Sequence, residues 1–227
     1  GFNPVRREIA RISLTRLLQD GRIHPARIEE TVEKVAKEME ETIREAGEQA
    51  LFDLGIHGVH PDLVKLIGRL KYRTSYGQNI DTNDREGAGL GGRSASELGR
   101  NAKGAKRAGL VQDIGKAGDN EVEGPHALIG ADLARKYGES AKIVHATGAH
   151  NEDESPRDIL PILVQAADAL SGARPGARRA MLANPRKRRG DLQASSKSCA
   201  GVRAAAACGM CAGWWSVAGL SSSAPAA

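Results

Sequence analysis

Across residues 25–50 the apolar side chains Ile28, Val32, Val35, Met39, Ile43 and Ala46 recur every three or four positions, with Glu and Lys between them. That spacing draws one stripe along a helix and fits no half-buried strand, whose faces alternate at every second residue. The near-heptad seam suggests packing along a partner helix, although the same stripe also serves a helix lying on its own domain. Neighbouring segments read alike. Asn3 before Pro4 is an N-cap with proline at the first helical position, Val5, Ile9, Ile12 and Leu17 keep the period, and Gly21 supplies a stop. His60-Pro61 opens a third helix that buries Leu63, Val64, Leu66, Ile67 and Leu70. Residues 125–137, 141–150 and 156–171 predict three more, the first ended by Gly138. Pro161 fits the last of these only near its start or at a kink. No segment alternates convincingly, so the expected fold is all-α.

Two stretches depart from this pattern. Residues 80–98 carry Gly87, Gly89, Gly91 and Gly92 among charges where a bundle helix needs an apolar stripe. At about 1 kcal/mol of helix stability lost per interior Gly, they predict a poorly packed loop. After Arg179 the chain turns basic at Arg186-Lys187-Arg188-Arg189, then rich in Ala, Ser and Gly, with Trp214-Trp215 isolated, which predicts a disordered tail over residues 180–227. Cys208-Gly209-Met210-Cys211 is a lone C-x-x-C without a second pair or a partnering His, and reads as neither a zinc nor a redox motif.

Charge follows the same division. The chain carries a net +5, but between Arg174 and Arg203 nine basic residues face one acid, and the 24 basic and 27 acidic residues elsewhere leave a net −3. The folded body thus has no basic field of the kind that nucleic-acid binding by charge alone requires. Three cysteines and no secretion-type start argue for a reducing compartment, and no apolar run is long enough to cross a bilayer. Opening directly on Gly1-Phe2-Asn3-Pro4, the chain reads as a piece of something longer.

The residues that carry chemistry begin at Gly109-Leu110-Val111-Gln112-Asp113-Ile114-Gly115-Lys116, where an apolar helix end delivers an Asp, a Gly permits a tight turn and a Lys follows at the mouth. Downstream lie Gly124-Pro125-His126, then His150-Asn151-Glu152-Asp153, then Asp168 among Ala166, Ala167, Ala169 and Leu170. Metal sites in bundles are built in this way, from side chains on separate helices that converge. Each residue also has a plain structural explanation: Asp113 as a helix-end acid, His126 as an exposed first-turn residue, His150 as a satisfied helix-end imidazole. Asp168 is the hardest to explain so, because an acid beside an apolar face needs a partner there.

Four long stretches carry a resemblance to a known family: Gly1-Phe2-Asn3-Pro4-Val5-Arg6-Arg7-Glu8-Ile9-Ala10, Asp20-Gly21-Arg22-Ile23-His24-Pro25-Ala26-Arg27-Ile28-Glu29, Ser75-Tyr76-Gly77-Gln78-Asn79 and Glu123-Gly124-Pro125-His126-Ala127-Leu128-Ile129-Gly130-Ala131. Over residues 1–179 the chain resembles ribonuclease Y, a bacterial endoribonuclease with a membrane anchor, a coiled coil, a KH domain and an HD domain. The resemblance implies that residues 1–29 end a KH domain, 30–74 form a helical connector and 75–179 form an HD helical bundle. It further implies a divalent metal held by Asp113, His126, His150 and Asp168, with Asp113 and Lys116 as the catalytic pair. Single-stranded RNA, a second copy of the chain and a cytoplasmic location, with anchoring left to an N-terminal segment absent here, complete what it implies.

At three positions where the family places His, this chain has Asn83, Gln112 and Asn151. An amide oxygen is a weak, neutral ligand, so the expected ion is Mg or Mn, weakly bound or absent, and hydrolysis of a phosphodiester is correspondingly impaired. Asp113 and Asp168 are expected to approach each other across the bundle and, without metal, one acid should hold its proton. The alternative is a catalytically inactive HD relic that acts as a helical interaction or dimerisation module. A degenerate gene copy or compensating frame errors would explain both the Gly-rich interval and the tail.

Overall fold

The computed structural model describes residues 3–177 apart from 22, 76 and 119–123, together with the backbone of two short strands farther on. The unit from Gly1 to Arg178 is helical: α1 (Pro4–Asp20), α2 (Pro25–Leu54), α3 (Pro61–Leu70), α4 (Ile80–Glu97), α5 (Ala102–Val111), α6 (His126–Lys136), α7 (Ala141–Ala149) and α8 (Ile159–Ala173). A four-residue 3-10 turn, Ile114–Ala117, follows α5, and a small hairpin pairs Thr74 with Asn79 and Ser75 with Gln78 ahead of α4. In the separate unit from Arg179 to Ala227, Ala206–Ala207 pairs antiparallel with Trp215–Ser216. The expected disorder of that tail, its basic run, its C-x-x-C pair and the side chains of its Trp pair lie outside the described residues. No helix among the described residues is long and apolar enough to cross a membrane.

Local signals set most helix ends. The Asn3 side chain accepts from Val5 N and Arg6 N, and Gly21 closes α1 at φ 70°. Asp158 caps α8 at Ile159, three residues later than expected, so Pro161 falls in the first turn, where its missing N–H costs nothing. On α2 the buried side runs Thr31, Val35, Met39, Ile43, Ala46 and Ala50, while Ile28 and Val32 of the expected stripe stay outside. Backbone proximity governs its packing on α3: a Cβ on Gly68 would lie 1.9 Å from the carbonyl oxygen of Ile43, and one on Gly47 2.1 Å from that of Val64.

Residues 80–98 correct the expectation of a loop, since they form the 18-residue helix α4. Asn79 caps it, its side chain accepting from Thr82 N at 3.2 Å. Its buried face is made of Ile80, Asn83, Asp84, Gly87, Ala88, Gly91, Gly92 and Ala95. Small residues leave no apolar stripe in the sequence, yet they let backbones touch: a Cβ on Gly109 of α5 would lie 2.8 Å from the Cα of Ala88, and the Lys106 stem covers Gly92. Close approach multiplies dispersion contacts and offsets the weak helix propensity of the glycines. Ala88 lies in the main core with Ala50, Leu63, Ile67, Leu110, Ile114 and Val144, so α4 is packed along its inner side.

Candidate metal centre

Asp113 stands at the junction of α5 and the 3-10 turn, with Gln112 before it as the last residue of α5's cap. Gly115 then determines where the turn can lie. Its backbone is not left-handed, so a tight turn is not the reason for glycine here. A Cβ would meet the carbonyl oxygen of His126 at 1.9 Å and Gly130 N at 2.8 Å, and only glycine lets the turn rest on the first turn of α6. That contact brings Asp113 and Lys116 against His126. Arg73 pins the far end, its guanidinium donating to the carbonyls of Lys116 and, at 2.8 Å, Gly118.

His150 closes α7, and its Nδ1 donates to the carbonyl oxygen of Thr147 at 2.7 Å, which leaves the Nε2 lone pair free. Asp113 Oδ1 lies 3.5 Å from His126 Nε2 and 3.6 Å from His150 Nε2. One donor atom from each of the three residues falls within 4.8 Å of the other two. Lys116 Nζ lies 2.7 Å from both Asp113 oxygens, but only Oδ2 meets it at hydrogen-bonding angles, so the buried Oδ1 has no hydrogen bond among the described residues. Burial works to raise the Asp113 carboxyl, and the His150 imidazole and Lys116 ammonium outweigh it, bringing the group to about 2. Burial, seconded by the charge on Lys116, lowers His126 and favours the neutral imidazole that a metal needs.

Asp168 is not part of this cluster. Its Oδ1 accepts from Asn83 Nδ2 at 2.6 Å and from Gln112 Nε2 at 3.2 Å, so the two amides at the replaced positions hold it. The expected approach of Asp113 to Asp168 therefore runs through Gln112. Asn151 is exposed and bonds Asp153 at 3.4 Å. Sequence reasoning missed Asp84, which is fully buried, accepts from the same Gln112 Nε2 at 3.3 Å and leaves its Oδ2 without a partner among the described residues. Burial first, then the charges of Asp113 and Asp168, push its carboxyl well above the usual range. Asp84 thus holds its proton more tightly than an ordinary carboxyl does. The available signal was its place four residues before Ala88 on a helix, which the reading of residues 80–98 as a loop concealed.

Ligands held 2.0–2.2 Å from one ion at tetrahedral angles lie about 3.3–3.6 Å apart. The separations from Asp113 Oδ1 to the two imidazole nitrogens match that, and all three donor atoms lie within 4.8 Å of one another, so Asp113, His126 and His150 fit a divalent ion with three protein ligands. Beside them opens a groove of about 270 Å³ lined by Arg73, Lys116, His126, Ile129 and Tyr137 among others.

The HD domain family matches residues 85–173, which include Asp113, His126, His150 and Asp168. The chain is 66% identical over 202 residues to ribonuclease Y of Syntrophotalea carbinolica, and 65% identical over 202 residues to the ribonuclease Y proteins of Geobacter metallireducens and Geobacter sulfurreducens. Each match covers 89% of this chain and 39% of the relative, so the chain spans about two-fifths of the length of these proteins. A match of 202 residues in a chain of 227 reaches residue 202 wherever it starts, and so it passes Arg179, where the sequence reading ended the resemblance. No solved structure matches. With an HD domain at its centre, the chain is about two-thirds identical to ribonuclease Y proteins along nine-tenths of its own length, and for the part that it spans it is similar to that family.

Proposed function

We propose that this chain is the HD portion of a metal-dependent endoribonuclease, with Asp113, His126 and His150 holding one divalent ion. The observation that carries the reading is the buried Oδ1 of Asp113 facing two imidazole nitrogens at 3.5 and 3.6 Å. Two imidazoles and one carboxylate, without the second carboxylate expected from Asp168, move the preference from Mg toward Mn and softer transition ions. Such an ion, when bound, supplies Lewis-acid polarisation of a phosphodiester and a nucleophile at neutral pH. The chain's own residues do the rest. Thr147 fixes the His150 tautomer, Arg73 and Gly115 hold the turn against α6, and Lys116 and Arg73 give the groove its positive lining for a single-stranded RNA backbone. Residues 1–29 as the end of a KH domain, a second copy as partner and a cytoplasmic site near a membrane anchor belong to the same reading.

A second reading, the inactive relic with a helical interaction role, is favoured by one observation: Asn83 and Gln112 hold Asp168 away from the cluster. One experiment separates the two. The purified chain is loaded with Mn(II), its bound metal is counted, and cleavage of a single-stranded RNA is followed beside Asp113→Ala. Stoichiometric metal and Asp113-dependent cleavage support the enzyme, metal without cleavage supports the relic, and no metal in the unmodified chain overturns the assignment of the site.

A further inference from the structure

We infer that Lys116 is a resident cation of this site, filling the charge need of Asp113 when no metal is bound and displaced into the adjoining groove when one arrives. The inference rests on the proposed metal site and adds a regulator to it. Lys116 Nζ sits 2.7 Å from both oxygens of Asp113, including the Oδ1 that faces the two imidazoles. An ion drawn to that oxygen meets an ammonium already on it, and two cations on one carboxylate repel each other strongly where side chains are buried. Asp113 is 5% exposed and cannot turn away into solvent, whereas Lys116 is 24% exposed on a flexible four-carbon stem, so the lysine is the partner that moves. The route is open. Lys116 lines the groove of about 270 Å³ together with Arg73, His126 and Tyr137, and no carboxylate is among the described residues that line it. Metal occupancy thereby converts an internal ion pair into a free ammonium beside the site. Coupling of this kind is reciprocal: whatever draws the ammonium into the groove strengthens metal binding by the same factor.

The test uses the full chain and Mn(II) alone, titrated by electron paramagnetic resonance into the unmodified protein, Lys116→Met and Lys116→Arg. Removing the competitor should tighten Mn(II) binding about tenfold in Lys116→Met, the scale of one partly buried charge pair. Lys116→Arg keeps a charge on Asp113 and should bind no tighter than the unmodified chain. In the unmodified chain, acylation of the Lys116 amine by acetic anhydride should speed up several-fold when Mn(II) is added, a readout that needs no variant to fold. Equal or weaker binding by Lys116→Met, tighter binding by Lys116→Arg, or an acylation rate that Mn(II) does not raise overturns this inference alone. Failure of the unmodified chain and of Lys116→Met to bind Mn(II) overturns the proposed site as well.

Discussion

Adding one methyl group at Gly115 should disable the centre without touching a charged group. The Cβ of Gly115→Ala would start 1.9 Å from the carbonyl oxygen of His126 and 2.9 Å from its carbon, both backbone atoms that no rotamer change can clear. Restoring an ordinary contact of about 3.4 Å requires the turn and α6 to part by roughly 1.5 Å. Overpacking of this kind costs about 1–3 kcal/mol, and the backbone position of the clash points to the upper end. For a domain of this size that is about 5–10 °C of thermal midpoint at 2–4 °C per kcal/mol. The same displacement opens the 3.5 Å separation of Asp113 Oδ1 and His126 Nε2 to about 5 Å if it runs along their line, beyond what one ion bridges, so Mn(II) affinity should fall at least tenfold. Gly89→Ala is the control. It has nothing within 4 Å of its added Cβ and lies inside α4, so it should gain about 0.5–1 kcal/mol from helix propensity and leave metal binding alone. Scanning calorimetry and Mn(II) titration of both variants check the pair. A Gly115→Ala protein with an unchanged midpoint and unchanged affinity would refute the claim that direct contact of the turn with α6 builds the site.

Replacing Gln112→His should raise Mn(II) affinity by about tenfold or more, because it puts an imidazole beside Asp113 and frees Asp168 of one amide; unchanged affinity in a titration would show that the position does not face the ion. Asp84→Asn should stabilise the chain at neutral pH. The folded carboxyl of Asp84 is raised above its unfolded value near 4, so its favourable contribution is present below that pH and is lost as pH rises toward the folded value. The variant lacks this loss, and its gain over the unmodified chain in urea titrations should be near zero at pH 4 and reach about 1–3 kcal/mol at pH 7; lower stability than the unmodified chain at pH 7 would show that Asp84 works as an anion. Arg107→Ala should cost about 3 kcal/mol in the same assay. It strands the 2% exposed carboxylate of Glu139 and releases the carbonyls of His57 and Gly58, and a cost under 1 kcal/mol would refute the importance of that joint.

Apart from α4, the helices and most of their ends were legible because they depend on local chemistry: an N-capping Asn at residue 3, left-handed glycines at 21 and 138, and the four-residue spacing of Val35, Met39 and Ile43. α4 was illegible for an equally physical reason. Its inner face makes sense only beside α5, whose Gly109 backbone it touches, and a small-residue face has no hydrophobic period to detect. The site divides along the same line. Asp113, His126 and His150 lie at helix ends flanked by distinctive residues and were named from sequence, whereas Asp84 is buried in the helix taken for a loop.

Asp168 finds its partners in two amides, and these bonds explain how the bundle stays closed with imidazoles missing at Asn83 and Gln112. In place of an ion that would draw α4, α5 and α8 together, Asn83 Nδ2 and Gln112 Nε2 donate to one oxygen of Asp168, and Gln112 reaches back to Asp84. Amide to carboxylate bonds are directional and charge-assisted, and they satisfy a half-buried acid at little cost. They also make the arrangement conservative: any ion that recruits Asp168 must first break two hydrogen bonds that already hold the helices in register. At the outer three-ligand cluster an ion has only the flexible Lys116 side chain to displace and no bond between helices to break, so metal that enters this chain should settle there first, at Asp113, His126 and His150, and Asp168→Asn should leave the affinity for a first Mn(II) within about twofold of the unmodified chain. A tenfold loss on Asp168→Asn would place the acid among the ligands and overturn this division of the site.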